Sequence, residues 1–281
     1  MPELPEVEHA RGVVLRALKD RPITHAESND PIVVAQGSES FARALVGAHV
    51  VGSERRGKSV LVHLARGDEA LGLFFHLGMT GHFVVRAIDD ASEAPRFARW
   101  TVTTDTTRLT LVDGRRLGRA IAGPRADVKV SSGMPKLGPD AIEVRTGEQL
   151  ARCFRGKSGK LPIAPIKLAL MDQAKIAGLG NIHAAEAVFF AKIHPDTPTS
   201  SLRDKDWDAL VAGVDRTLSR QLAELAATEE YVYVNEGGPN PFSVYGKEGE
   251  PCPVCGKAIE TIDQGGRTTY FCSKCQKKKK A

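Results

Sequence analysis

The sequence has no long hydrophobic run, no internal repeat and few cysteines. No segment approaches the roughly 18 consecutive apolar residues of a membrane span, and the charged first residues do not fit a secretory signal peptide. We therefore expect no membrane partner and a cytoplasmic location. Only 5 of the 281 residues are cysteine, and a disulfide framework is disfavoured in an intracellular chain of this kind.

The composition is that of a globular protein of one large or two ordinary domains. Hydrophobic residues make up 42% and charged residues 26% of the chain, which excludes intrinsic disorder as its general state. The net charge is +5, and basic residues cluster at 55–58 and 115–119. Such clusters fit a polyanionic partner, although a charge run is also compatible with an ordinary solvated surface.

Hydrophobic periodicity predicts an α+β protein with an N-terminal antiparallel β-sandwich. Apolar spacing over 6–19 indicates an amphipathic helix. From about residue 22 to 125 the pattern changes to short β-type runs, and 104–107 is typical of a hairpin turn. The predicted strands include 59–64, 71–75, 83–85, 100–103 and 109–112.

The second half of the sequence predicts a helical domain. Residues 122–139 are rich in Gly, Pro and Ser and should form a linker. Helices are expected near 147–155, 165–176, 181–192 and 203–227, the last with a capping box beginning at Ser201. We predict a sandwich domain, a linker, a helical domain, a zinc-ribbon module and a basic tail, at 2–121, 122–139, 140–245, 246–276 and 277–281.

Four cysteines near the C-terminal end form a C-x2-C-x16-C-x2-C pattern. Two such knuckles let four thiolates converge on one tetrahedral zinc ion. A zinc ion bound by four cysteines has no open coordination position, so we expect one structural zinc and no catalysis by it. The fifth cysteine, Cys153, is interpreted as a buried apolar thiol. The predicted ligands are Cys252, Cys255, Cys272 and Cys275.

The first residues of the chain allow nucleophilic catalysis. Removal of Met1 would leave a secondary amine at Pro2. The pKa of an α-amino group is about 7.7–8.0, against about 10.4 for lysine. Near neutral pH, a larger fraction of a terminal amine than of a lysine side chain is therefore unprotonated. Such an amine can form an iminium with a sugar aldehyde carbon, and Glu3 can move protons. The same residues also suit an ordinary helix start, with Pro5 in the first turn.

A glycine-rich turn over 171–183 lies between two predicted helices. Glycines let a backbone approach closely, and the free N–H groups of the following helix can bind an anion. Phosphate binding is one interpretation, and a simple glycine stop signal between helices is the other.

The opening MPELPEVE closely resembles the formamidopyrimidine-DNA glycosylase branch of the Fpg/Nei family, whose endonuclease VIII branch usually has Gly where this chain has Leu4. Similar matches follow in order along the chain. They are the segment 55–59, the loop 76–81, the loop 113–118, the turn 171–183 with its helix–two-turn–helix motif, and the arginine at the tip of the cysteine module.

The resemblance implies a bifunctional DNA glycosylase/AP lyase of base excision repair that removes oxidised bases such as formamidopyrimidines and 8-oxoguanine. Its partner would be double-stranded damaged DNA, bound by a monomer without a nucleotide cofactor or catalytic metal. The implied catalytic residues are Pro2, Glu3, Lys58 and Arg267. The implied DNA-binding residues are Met79, Arg96, Arg115, Arg116, Lys167 and Asn181.

Some positions depart from the family pattern. Leu117 stands where the family commonly has phenylalanine in the loop that probes the opposite base, and His183 replaces a common tyrosine. Residues 225–240 lack the Gly-Gly-Thr-Thr loop that closes over flipped 8-oxoguanine, and pocket contacts set substrate choice in base-flipping enzymes. Two alternatives follow: an endonuclease VIII-like glycosylase preferring oxidised pyrimidines or hydantoins, and a non-catalytic lesion-binding DNA protein.

Overall fold

The computed structural model describes residues 2–227 and 238–278. The chain divides into two compact units, Met1–Lys136 and Leu137–Ala281, and the division falls inside the predicted linker. Within the described ranges no helix combines the length and the apolar character needed to cross a membrane. Residues 228–237, most of the segment 225–240 in which the loop difference is predicted, lie outside the described residues. So do residues 279–281 of the predicted tail 277–281.

The first unit contains two four-stranded antiparallel sheets, ordered β1-β6-β7-β5 and β2-β3-β4-β8. The predicted antiparallel sandwich is therefore confirmed. Its helices are α1 (Leu4–Ala17), α2 (Ser38–Leu45) and α3 (Arg125–Ser131). Its strands are β1 (His25–Ser28), β2 (His49–Arg56), β3 (Ser59–Arg66), β4 (Glu69–His76), β5 (His82–Ala87), β6 (Ala98–Thr103), β7 (Thr107–Val112) and β8 (Arg119–Pro124).

Large apolar side chains fill the core of this unit. The Trp100 ring lies 5.8 Å from Phe41 and 5.4 Å from Phe83, measured between ring centroids. The apolar face of α1, including Val7 and Val14, is buried in the same cluster. Because α1 packs on this core, its first residues are held in a fixed position.

The β6–β7 hairpin confirms the turn predicted at 104–107. The Thr104 hydroxyl accepts hydrogen bonds from the backbone N–H groups of Thr106 and Thr107, at 3.2 and 3.0 Å. A threonine side chain that binds backbone two and three residues on stabilises a tight turn locally. This local bonding explains why the turn could be located from sequence.

The segment 122–139, predicted as the linker, contains regular secondary structure. Strand β8 runs to Pro124, and α3 follows at once from Arg125 to Ser131. A short 3₁₀ helix occupies Met134–Lys136. The glycine and serine residues of this segment mark the end of α3 and not an extended connection. Gly133, with a positive φ of 78°, follows that helix.

The second unit is helical and ends in a β-hairpin, as predicted. Its helices are α4 (Gly147–Phe154), α5 (Ile166–Ala169), α6 (Asn181–Phe190) and α7 (Asp204–Ala226), and a 3₁₀ helix occupies Thr199–Ser201. The hairpin pairs β9 (Glu260–Asp263) with β10 (Thr268–Phe271). The sheet domain, the helical region and the four-cysteine site together confirm the predicted fold class.

Two local predictions in this unit were wrong. The helix expected over 165–176 is a single turn, because the Asp172 carboxylate accepts a bond from Ala174 N–H at 3.0 Å and closes a turn. The capping box expected from Ser201 is displaced, because the Ser201 hydroxyl donates backwards to Pro198 O. Only one of the two bonds of such a box forms at the helix start, where Arg203 N–H donates to the Asp206 carboxylate at 2.9 Å, because an arginine side chain cannot accept the other bond.

Candidate nucleic-acid interface and catalytic residues

Pro2 and Glu3 are buried at the start of α1. Glu3 is the N-cap residue of the helix, and its N–H donates to the Glu6 carboxylate at 2.9 Å. An acid in the first helical turn is stabilised by the partial positive charge at a helix N-terminus. The helix therefore fixes the backbone that carries both predicted catalytic residues.

Glu8, one turn further along α1, holds the β2–β3 turn that carries Lys58. Arg55 Nε donates to the Glu8 carboxylate at 2.9 Å, and Arg55 Nη1 donates to Gly57 O at 2.9 Å. Burial opposes ionisation of Glu8, but its bonds with Arg11 and Arg55 hold its pKa below the usual range. The bond between Arg55 and Glu8 therefore links the turn that carries Lys58 to α1, the helix that directly follows Pro2 and Glu3.

His76 ends β4 and faces the same turn, since it pairs across the sheet with Ser59. Burial, together with the positive charges of Lys58 and Arg119, lowers the pKa of His76 to about 4. The ring is therefore neutral at pH 7, and Nδ1 accepts a bond from Gly78 N–H at 3.0 Å. His76 orients the loop 76–81 that contains Met79.

Asp113 is a fully buried carboxylate that joins this loop to the arginine loop, residues 113–118. One of its oxygens accepts from the Thr80 hydroxyl at 2.5 Å and from Arg115 N–H at 3.1 Å. The other accepts from Gly118 N–H at 2.7 Å. One carboxylate therefore fixes two loops that the sequence placed far apart.

The two loops also touch through their backbones. A side-chain carbon on Gly78 would lie 2.4 Å from the carbonyl carbon of Leu117, which is too close for any other residue. Met79 is half-buried, Arg115 is exposed, and the Leu117 side chain is 50% exposed. The structure therefore places the loop that carries Met79 against the loop that carries Arg115 and Leu117.

Arg116 has a partner within the protein. It has a positive φ of 56°, and its guanidinium forms two bonds to buried Asp30, at 2.7 and 3.0 Å. The Arg116 bond, despite the opposing effect of burial, holds the pKa of Asp30 below its usual range. Arg99 donates to the same carboxylate at 3.1 Å. Phosphate contact by Arg116 stays a prediction.

Arg96 lies on the exposed segment before β6. Its guanidinium carbon is 4.6 Å from the centroid of the Phe97 ring, the distance of a cation–π contact. A DNA phosphate contact by Arg96 also stays a prediction.

The second unit brings Lys167, Asn181 and the β9–β10 turn together. Lys167 is completely buried, and its Nζ donates to the side-chain oxygen of Asn181. The Asn181 amide nitrogen donates to Thr268 O at 3.0 Å. Because Thr268 follows Arg267, this chain of bonds links the first residue of α6 to the tip of the ribbon. Arg267 itself is exposed.

Gln173 shapes the glycine-rich turn before α6. Its amide nitrogen donates to Leu179 O at 2.7 Å, and its oxygen accepts from Gly178 N–H at 2.9 Å. Gly178 has a φ of 117°, a value that favours glycine. The turn is therefore a rigid support for Asn181.

Two buried polar residues of α6 support the same unit. Glu186 accepts three backbone N–H bonds, from Ser243, Val244 and Tyr245, between 2.8 and 3.0 Å. His183 Nδ1 lies 2.8 Å from the Thr217 hydroxyl of α7. His183, which replaces a common tyrosine, is thus built into the helix–helix contact.

The four predicted zinc ligands converge. Their sulfur atoms all lie within 4.8 Å of one another, with Cys255 and Cys272 3.5 Å apart and Cys252 and Cys275 3.9 Å apart. Zn–S bonds of about 2.3 Å in a tetrahedron require sulfur atoms about 3.8 Å apart. The donor set and spacing fit one zinc ion.

Cys153 is not the buried apolar thiol that was predicted. It is half-buried on α4, and its thiol donates to Gln149 O at 3.3 Å. The reason is its position on the partly exposed side of a short helix. Partial burial raises the pKa of Cys153, which disfavours the reactive thiolate.

Sequence reasoning missed the residues that hold the site in place. Half of them are buried carboxylates, each of which has a partner far away in the sequence. Asp113 could have been suspected because it directly precedes Gly-Arg-Arg, whereas nothing near Asp30 in the sequence marks it. The missed residues are Asp30, Thr80, Arg99, Asp113, Gln173 and Glu186.

Comparison with known families accounts for most of the chain. Residues 1–120 match the formamidopyrimidine-DNA glycosylase N-terminal domain, and residues 137–230 match the formamidopyrimidine-DNA glycosylase H2TH domain. Residues 249–278 match a zinc finger found in FPG and IleRS.

Full-length relatives and solved structures agree with these matches. The chain is 35% identical to formamidopyrimidine-DNA glycosylase of Gluconobacter oxydans and 33% identical to that of Bacillus subtilis, in each case over 99% of this chain and 100% of the relative. It also resembles Lactococcus lactis Fpg in complex with DNA containing an abasic site, with a TM-score of 0.84 and 29% identity over 98% of this chain and 100% of that one. A second similar structure is the same protein with DNA containing N7-benzyl-Fapy-dG.

Proposed function

The chain belongs to the formamidopyrimidine-DNA glycosylase family, and on that basis we propose that it is a bifunctional DNA glycosylase/AP lyase acting on oxidised bases in duplex DNA. One observation of the structure supports this most directly. Pro2 and Glu3 are buried at the start of α1, and Glu8 of that helix binds Arg55 in the turn that carries Lys58.

The proposed reaction begins once Met1 has been removed. The Pro2 nitrogen attacks C1′ of the flipped nucleoside, forming a C–N bond as the glycosidic bond breaks. The base leaves with the bonding electron pair and takes up the proton that the secondary amine loses. Glu3 supplies a proton to the sugar ring oxygen, so the ring opens and an iminium forms. Burial favours the uncharged, nucleophilic form of an amine at this position.

The iminium then permits strand cleavage. Loss of a proton from C2′ expels the 3′ phosphate in β-elimination, and a second elimination expels the 5′ phosphate. Lys58 and Arg267 are proposed to assist these steps as cations that bind the departing phosphates. Hydrolysis of the remaining iminium returns the Pro2 amine and releases the sugar remnant.

DNA binding is proposed to use the loops 76–81 and 113–118 of the first unit and the turn before α6. Met79, Arg115 and Leu117 would fill the vacated stack, while Arg96, Arg116 and Asn181 would contact phosphates. Because Lys167 is completely buried, its part in phosphate binding would be to hold Asn181 through their hydrogen bond. Phosphate contacts make affinity fall steeply with salt. The protein is proposed to act as a monomer in the cytoplasm on nucleoid DNA.

Borohydride trapping tests the proposal. Reduction of the iminium should give a covalent complex between the protein and duplex DNA containing an abasic site, visible on a denaturing gel. We expect Pro2→Gly to lose most of this complex, with Met1 removal verified by mass spectrometry in both proteins. Unchanged trapping in Pro2→Gly, or trapping by protein that retains Met1, would contradict the mechanism.

The lesion class needs a separate experiment. Because 225–240 lacks the Gly-Gly-Thr-Thr loop, oxidised pyrimidines or hydantoins are a second candidate substrate class. A panel of duplexes carrying 8-oxoguanine, formamidopyrimidine, hydantoin or oxidised-pyrimidine lesions ranks them by kcat/KM. Binding without any cleavage across the panel would favour a non-catalytic lesion-binding protein.

A further inference from the structure

Phe97 has an unusual backbone conformation for an aromatic residue. It lies directly before β6 with a φ of 66°. This value falls in the left-handed region of backbone conformation, which costs free energy for every residue that has a Cβ atom. Its side chain is nevertheless 44% exposed. A glycine or asparagine would suit this backbone better, so folding alone gives little reason for phenylalanine.

The ring is held beside the arginine loop. Phe97 O accepts a bond from Asp113 N–H at 3.1 Å, and a side-chain carbon on Gly114 would lie 3.7 Å from the Phe97 ring. Gly114 directly precedes Arg115. Asp113, whose carboxylate binds the Thr80 hydroxyl and the Gly118 backbone, therefore also fixes the position of Phe97 through its own N–H.

Two arginines flank the ring. The guanidinium carbon of Arg96 lies 4.6 Å from the ring centroid, and that of Arg99 lies 5.7 Å from it. Arg99 also binds buried Asp30, whereas Arg96 is exposed. An exposed aromatic ring beside guanidinium groups is suited to nucleic acid, because the ring can stack on a base while the cation contacts a phosphate.

We propose that Phe97 stacks on a nucleotide of the strand opposite the lesion, supplying an aromatic surface that Leu117 cannot. The arginine loop carries leucine at 117, where related proteins commonly have phenylalanine. Phe97, which directly precedes the neighbouring strand β6, places its ring beside this loop. The proposal rests on the proposed function, since it assigns Phe97 a contact in that enzyme's DNA complex.

Phe97→Asn separates a DNA contact from a packing role. Asparagine tolerates a positive φ, so we expect the Tm of the free protein to be unchanged or higher. The Kd for a duplex containing a tetrahydrofuran abasic-site analogue should weaken by about fivefold or more, as for loss of one stacked base. Phe97→Trp, which retains a stacking surface, should bind within about twofold of the wild type. A packing role predicts the reverse: a lower Tm with an unchanged Kd.

Two further measurements fix the location of the contact. With 2-aminopurine placed opposite the analogue, Phe97→Asn should leave the bound DNA more fluorescent than the wild-type complex does. Adding Leu117→Phe to Phe97→Asn should restore most of the lost affinity. Unchanged fluorescence and unchanged Kd in Phe97→Asn would overturn the proposal. Borohydride trapping by the wild-type preparation reports separately on the proposed function, because the abasic-site analogue cannot form an iminium.

Discussion

The two units present arginines at the tips of loops by different physical means. In the first unit, Arg115 stands on a loop held by the buried Asp113 carboxylate, above a core built around Trp100. In the second unit, Arg267 stands on a hairpin whose strands lead to four converging cysteines. The comparison shows that hydrogen bonds to a buried carboxylate hold one arginine loop, whereas the other arginine lies on a hairpin that leads to the predicted zinc site.

The difference follows from the size of each module. The sandwich buries a continuous cluster of aromatic and aliphatic side chains. The ribbon, in contrast, packs its cysteines against only a small group that includes Phe189, Val244 and Ile259. A module of about 30 residues rarely builds a sufficient core of its own, so a metal ion commonly replaces it.

The largest expected effect is that of zinc removal. Structural zinc contributes about 10–16 kcal/mol of apparent binding free energy in small zinc modules. We expect a chelator to abolish amide hydrogen-exchange protection in β9 and β10 while β3 and β4 keep theirs. Mass-resolved exchange measures both regions in one sample, and Cys255→Ser should mimic the chelator.

Cys153→Ser is the matched control for that experiment, because it removes a thiol that lies outside the predicted ligand set. It should retain one zinc ion per chain by metal analysis. Equal loss of protection in β3, β4, β9 and β10 after chelation would break the distinction between the two units.

The next effect tests the carboxylates of the first unit. Asp30→Asn leaves Arg99 and Arg116 without their shared anion. The free energy of unfolding should therefore fall by about 2–3 kcal/mol, somewhat less than for a fully buried ion pair, because Arg116 is partly exposed. The free energy of unfolding in urea measures this cost. Asp105→Asn, which breaks the exposed pair with Arg21, should cost less than about 1 kcal/mol. Equal costs would contradict the importance of burial.

A third test uses pH. The pKa of His76 is lowered to about 4 in the folded protein, so the unfolded chain binds the proton more readily. The stabilising contribution is therefore present above pH 6.5 and is lost as pH falls from 6.5 towards 4, by about 3 kcal/mol at most. Thermal melts at pH 7 and pH 4 should show a smaller loss for His76→Asn, which retains an acceptor for Gly78 N–H but does not titrate. An identical loss in both proteins would show that His76 is not the group responsible.

The smallest effect is expected at Cys153. Serine can also donate to Gln149 O, so Cys153→Ser should change the free energy of unfolding by less than about 0.5 kcal/mol. The raised pKa of the thiol also predicts alkylation slower than that of free cysteine at pH 7. Rapid alkylation would mean that the thiol is activated.

Sequence patterns located the features that depend on local chemistry. The Thr104 turn, the start of α1 and the cysteine pairs all involve residues close in sequence, and the structure has them where they were expected. The strands β1, β2 and β8 lie inside the stretch 22–125 that was predicted to be β-type, although they were not located individually. The helix α2 was missed, because it is only eight residues long and lies within that stretch. The predicted helix over 165–176 failed because the Asp172 side chain competes for backbone hydrogen bonds.

Residue types and their spacing were enough to identify the family, the four metal ligands and the candidate catalytic residues. The contacts that hold these residues in place became known from the fold alone. Asp113 joins two loops, Asp30 binds Arg116, and Lys167 reaches the ribbon through Asn181. Each of these is a contact between residues separated along the chain, and spacing alone does not specify which distant partner a buried charge will find.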